Sequence, residues 1–299
     1  MRSTSKNTLG GIALFCFGVL LFACMDTTTK YLAARYPAPM VVALRYIVQC
    51  LLMLVLLYPS QGRRLFQTQR TDLVLIRAGC LAVASMCLTL ALQRMPVAES
   101  TAIVFLSPML VVLMAGPVLR EYVTRFGLMA AVAGFVGVLL IARPGAGLDA
   151  VGVLLAICAA TANAVYQLLS RVLATTERTI ALLFYTALVG AVGYGALLPW
   201  FWTGPLPPLT HLALFCSTGV LGGVGHFLFT AAHRHTAASA LAPLQYAQLV
   251  WASFLGWLVF GHIPDGPGVL GMMIVAVSGG AVAMRSRLAA RTLEQAAAN

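Results

Sequence analysis

Acidic residues are scarce in this chain: eight Asp and Glu stand against nineteen Lys and Arg in 299 residues. Charge of either sign is thin, at 9% of residues, where a soluble domain carries about 25%. With 61% hydrophobic residues and a mean hydropathy of +0.92, a water-soluble fold of this length could not find enough polar surface to face water. Other absences narrow the function. No G-x-x-x-x-G-K-[ST] loop is present to cradle ATP phosphates, so nothing here powers a pump by itself. No H-x-x-x-D, no G-x-S-x-G and no carboxylate pair near an interface argues for an enzyme, and no cofactor pattern is present. The seven cysteines all fall inside apolar runs without C-x-x-C spacing; they read as packing residues rather than disulfides or metal ligands. The formal charge of +11 is not gathered into a basic stripe, which excludes nucleic acid as the partner.

What the chain has in abundance is long apolar runs. Ten can be counted, at about 9–33, 38–58, 72–92, 97–119, 125–142, 149–170, 178–199, 209–231, 237–260 and 267–285. A hydrocarbon core of about 30 Å needs roughly 20 apolar residues per helix. The runs lack the alternation of barrel strands, so helices satisfy the backbone in lipid. The first run carries a rival reading. Arg2, Lys6 and an apolar stretch ending Leu21-Phe22-Ala23-Cys24 look like a lipoprotein signal sequence. Met25–Leu32 stays compatible with helix, and the charge count below requires that the first helix be kept.

One plan is used twice. Apolar runs and short joints from Thr71 to Arg143 return from Thr210 to Arg285, joined at Gln93-Arg94-Met95-Pro96 in the first case and Ala232-His233-Arg234-His235 in the second. Aligning 71–119 on 210–258 without gaps gives 8 identities in 49 positions, Ala98/Ala237 and Ser100/Ser239 among them. Matched lengths, not identity, support the duplication. Basic residues then set the orientation. Fourteen Lys and Arg, Arg63, Arg64, Arg70, Arg77, Arg171 and Arg178 among them, flank the runs on the amino-terminal side. Lys30, Arg35, Arg94 and Arg143 lie on the other side, and Arg45 is inside the second run. Both termini are therefore expected in the cytoplasm. Five crossings per half is odd, so the second half enters the membrane upside down. The expected fold is an all-α integral membrane protein of ten transmembrane helices in two inverted five-helix repeats, 9–143 and 149–285, with 286–299 as a cytoplasmic tail.

Three stretches carry a family likeness: Ala43-Leu44-Arg45-Tyr46 in the second run, Ser107-Pro108 in the fourth, and Leu119-Arg120-Glu121 followed by Gly127. With ten helices in two halves, the chain resembles the drug/metabolite transporter superfamily, specifically its EamA-type bacterial exporters, and within it the exporters of aromatic and other neutral amino acids. The second half departs from the pattern: Phe260-Gly261-His262 stands where a Glu is usual, and Ala247 where the first half has Pro108. The resemblance implies an inner-membrane secondary carrier working by alternating access on a small molecule, with membrane lipid as its other partner. Carriers of a nucleobase, a nucleoside or a cationic drug share the plan.

Polar groups inside the bilayer are costly and need a reason. Asp26 lies in the outer part of the first run, one turn before Lys30, and Arg45 lies a few residues into the second. They read either as an Asp26–Arg45 or Asp26–Lys30 pair fastening two helices, or as a gate or proton site. His226, flanked by Gly222, Gly223 and Gly225, reads as an interhelical hydrogen-bonder or as a cavity residue that holds a substrate carboxylate or takes a proton. Gln245, Tyr246, Gln248 and Trp251 follow Pro243, which can kink the ninth run. Asn163, Tyr166 and Gln167 share a face of the sixth, where amides often serve as glue. Ser85, Met86 and Thr89 in the third run and Phe105 and Ser107 in the fourth complete the candidates for a midplane cavity. Glu99 and Glu121 read as end residues of the fourth run. Gly134, Gly137, Gly279 and Gly280 read as close helix packing.

Overall fold

Apolar runs of this length leave the backbone one way to satisfy itself in lipid, and the computed structural model is helical throughout its described residues, 3–119, 125–142, 148–173, 176–202, 204–235 and 242–298. The helices are α1 (Ser3–Ala33), α2 (Ala38–Gln61), α3 (Thr71–Arg94), α4 (Val97–Val104), α5 (Ser107–Leu119), α6 (Arg125–Ala142), α7 (Ala150–Leu173), α8 (Thr179–Phe201), α9 (Leu209–His235), α10 (Ala247–Phe260) and α11 (Gly266–Ala298). Among them six segments, within α1, α2, α3, α7, α8 and α9, are long and apolar enough to cross a membrane by length and composition. Four shorter apolar stretches, Val97–Val111, Leu128–Ile141, Leu244–Phe260 and Gly266–Ala281, account for the remaining expected runs. α1 continues unbroken through Cys24. The tail expected after residue 285 instead prolongs α11. Arg120, Glu121, Arg143, Ala237 and Ser239 lie outside the described residues.

Two of the expected runs are not single helices. The fourth is interrupted at Phe105 and Leu106, between α4 and α5. Pro108 has no amide hydrogen to continue the ladder. The Ser107 hydroxyl turns back to the Val104 carbonyl at 2.6 Å and lies 2.9 Å from the Ala160 carbonyl on α7. The ninth run enters α10 through a 3-10 turn, Ala242–Tyr246. The 139-residue offset that aligns Thr71 with Thr210 places the first interruption on residues 244 and 245, inside that turn. The two interruptions also touch: the rings of Phe105 and Tyr246 lie 5.2 Å apart, tilted.

The closest helix packing pairs α1 with α9, α3 with α7, α2 with α8 and α6 with α11. Exchanging α1 with α7, α2 with α8, α3 with α9 and α6 with α11 maps this set onto itself. Glycines set several of the approaches. A methyl group on Gly137 of α6 would stand 2.8 Å from the Gly271 carbonyl of α11, and one on Gly134 would overlap the Met109 thioether. Gly279 faces the Tyr246 hydroxyl, whereas Gly280 has open space around it, so the packing role expected of Gly280 does not hold. Cys158 and Cys216 lie on the outer surface rather than in the packed interior expected for all seven cysteines.

Candidate functional site

Asp26 sits in α1 and Arg45 in α2, each seven residues from the corner that joins the two helices. At 1.5 Å per residue both lie about 10 Å inward from that corner. Both are buried, at 4% and 6% exposure. The expected ion pair between them is not what forms. Asp26 Oδ2 instead accepts from Gln248 Nε2 of α10 at 3.1 Å. The Arg45 guanidinium stacks over its neighbour Tyr46 at 4.9 Å and makes no hydrogen bond or close ion pair among the described residues. The Asp26–Lys30 pair does not form either. The Lys30 ammonium donates to the Leu92 and Met95 carbonyls at the end of α3, at 2.8 and 2.6 Å, and lies 5.5 Å from the Phe260 ring. Those carbonyls have no further helical donor, and a cation satisfies them.

His226 is half-buried on α9, edge-on to Phe22 with centroids 4.8 Å apart, and no described hydrogen bond engages its imidazole. The glycines around it serve helix packing. A side chain on Gly222 would meet Met25 of α1, one on Gly223 would meet Leu52 of α2, and one on Gly225 would meet Phe22. Gln49, buried on α2, lies beside Gly222 and Gly223, and sequence reading passed it over. Its spacing of four from Arg45 was the available signal, since such residues share a helix face.

The other candidates divide between this centre and the packing around it. Ser85 bonds the Tyr46 hydroxyl at 2.7 Å, and Tyr194 stacks on Tyr46 while donating to the Ala82 carbonyl at 2.9 Å. Met86 is half-buried one residue along α3. Asn163 donates to Ser107 at 3.3 Å, the interhelical role expected of an amide. Tyr166 belongs to Arg77. The Arg77 guanidinium takes Tyr166 Oη at 2.8 Å, Ser170 Oγ at 2.6 Å, and the Leu182 carbonyl and Thr186 hydroxyl at 3.1 Å each, tying α3 to α7 and α8. Arg77 thus lies inside the bundle, 4% exposed, and is not the helix-end cation the charge pattern suggested; thirteen basic residues remain on that side. Gln245 falls in the 3-10 turn, half-buried, and Trp251 packs with Phe15, Val19 and Ala232. The Tyr246 hydroxyl is buried without a partner among the described residues.

A second polar cluster was not foreseen. Glu99, in the first turn of α4 as its end-residue reading requires, is also buried, and its Oε1 lies 2.8 Å from His262 Nε2 just past α10. The contact joins the two halves of the chain. Glu99 Oε2 has no partner among the described residues.

A sequence model of the EamA-like transporter family matches this chain twice, over residues 9–143 and 150–283. An S-adenosylmethionine uptake transporter of Rickettsia bellii is 27% identical over 277 residues, covering 92% of this chain and 94% of the relative. A pseudopaline exporter of Pseudomonas aeruginosa is 25% identical over 276 residues, covering 90% and 94%. A crystal structure aligns with a TM-score of 0.65 at 22% identity over 97% of this chain and 99% of that one, a likeness of fold alone. The two named relatives move their substrates in opposite directions, and neither name specifies an aromatic amino acid.

Proposed function

The chain belongs to the EamA-like transporter family, and from that premise we propose that it is a secondary carrier exporting amino acids, aromatic and other neutral ones, across the bacterial inner membrane by alternating access. At the coarser level it is a multi-pass membrane transporter of a small metabolite and not an enzyme. The finer reading takes ten crossings in two oppositely oriented halves, with both termini in the cytoplasm. The exchange symmetry of the helix contacts and the thirteen-to-four basic bias support it.

One observation carries the proposal. Two interrupted helices meet at Phe105 and Tyr246, and the residue two positions beyond Tyr246, Gln248, bonds the buried carboxylate of Asp26 on α1. Discontinuous helices near the midplane are where carriers of this type hold cargo, because freed backbone and scarce polar side chains converge there. Phe105 and Tyr246 at the meeting point are the aromatic surface that an aromatic side chain would use on this reading. A second reading, transport of a cationic compound, draws on Asp26 as a buried carboxylate; a nucleobase or nucleoside is a further option within the same fold. Purified protein in liposomes, given labelled tryptophan and threonine, should show saturable flux. Absence of saturable flux for every amino acid tried would reject the amino-acid reading and leave the other metabolites.

A further inference from the structure

Arg45 and Asp26 pose an energetic question that packing does not answer. A guanidinium offers five donors, and burying one without partners is among the costliest arrangements a protein keeps. Arg45 is 6% exposed and makes no hydrogen bond and no close ion pair among the described residues, and its nitrogens keep access to a water-sized space rather than being sealed in. Arg77 shows what a structural arginine looks like in this same bundle, with four partners on two neighbouring helices. Asp26 is buried to the same degree, at the same depth on the adjoining helix, with a single amide donor from Gln248 on one of its two oxygens. Asp26 and Arg45 thus offer opposite charges at one depth, each with hydrogen-bonding capacity that no described partner takes up, to a ligand that carries both signs.

We propose that Asp26 and Arg45 form a zwitterion clamp, Arg45 taking the carboxylate and Asp26 the ammonium of an amino-acid head group. This rests on the transport reading above and deepens it, because it assigns the recognition to the α1–α2 pair rather than to His226. A carboxylate matches the planar guanidinium two-on-two. An ammonium supplies the donors that Asp26 lacks, with Gln248 holding the carboxylate from α10. The other groups nearby fit this division. Tyr46 stacks under Arg45 and Tyr194 on Tyr46, and Gln49 lies one turn along α2 from Arg45. Because Asp26 lies on α1 while its amide partner lies on α10, filling the clamp also bears on a contact between the two halves.

The test compares three indole compounds as inhibitors of labelled tryptophan flux in liposomes: L-tryptophan with both charges, tryptamine with the ammonium alone, and indole-3-propionate with the carboxylate alone. The wild-type protein should prefer tryptophan to either by roughly ten- to hundredfold, the value of a charge-assisted contact. Arg45→Gln should bring tryptamine level with tryptophan, and Asp26→Asn should bring indole-3-propionate level with it, while Arg45→Lys, a cation without the two-pronged fit, keeps only part of the preference. If a variant does not fold, the wild-type ranking still decides. Tryptophan flux with no preference among the three, or variants that keep the full preference, would overturn the clamp and leave amino-acid transport standing. Wild-type preference for tryptamine would overturn it in favour of a cationic cargo. No amino-acid flux at all would remove both readings.

Discussion

At the residue scale, two buried arginines one helix apart have opposite circumstances. Every nitrogen of Arg77 is engaged, and Tyr166 is one of its partners. Losing one bond to a buried cation costs about 1.5 to 3 kcal/mol. Tyr166→Phe should therefore lower the unfolding free energy of detergent-purified protein by about 2 kcal/mol while the KM for the transported compound stays unchanged. A raised KM with unchanged stability would return Tyr166 to the substrate site. Glu99 gives a second case. His262 is its donor, and the other carboxylate oxygen is already unpartnered and buried. His262→Ala should destabilise the protein by about 2 kcal/mol, and His262→Gln, which can still donate, should restore most of that. Thermal unfolding of the two variants side by side checks it.

At the scale of the helix, glycine decides which pairs can close. α6 and α11 approach at Gly137 and Gly271, where each residue's missing side chain is filled by the other's backbone. Gly137→Val should cost about 2 kcal/mol or more through overpacking, whereas Gly280→Val, which points into open space, should stay within about 0.5 kcal/mol. Equal losses at the two positions would mean that the packing is not as described. The helices themselves were legible in sequence because hydropathy is local, but the break in the fourth run was not, since Ser107-Pro108 read as a family likeness and only Pro243 as a kink. What was not legible was pairing across the fold. Gln248 and Asp26 stand 222 positions apart, Glu99 and His262 163, and no periodicity within a run records either contact. Arg77 misled for a related reason. Six residues from the start of α3, it resembles a helix-end cation, and only the arrival of α7 and α8 turns its guanidinium inward. The glycines beside His226 admit close neighbours, and the neighbours they receive are Phe22, Met25 and Leu52.

At the scale of the whole molecule, the halves are bound to each other at least as closely as within themselves, and the contact pattern survives their exchange. That exchange symmetry is what the proposed two-half carrier requires. Orientation follows from the basic bias, so a fluorescent reporter fused after Asn299 should be active in the cytoplasm, and an export-dependent phosphatase inserted near Gly204 should be active outside. The reverse pattern would invert the assignment. The claim on which everything else depends is that one site opens to each side in turn. Counterflow measures it directly: liposomes loaded with unlabelled tryptophan are diluted into trace labelled tryptophan. The account predicts a transient overshoot of label inside, above its equilibrium level, that vanishes when the internal tryptophan is omitted. Simple equilibration with no overshoot, at the same rate with or without internal tryptophan, would contradict it.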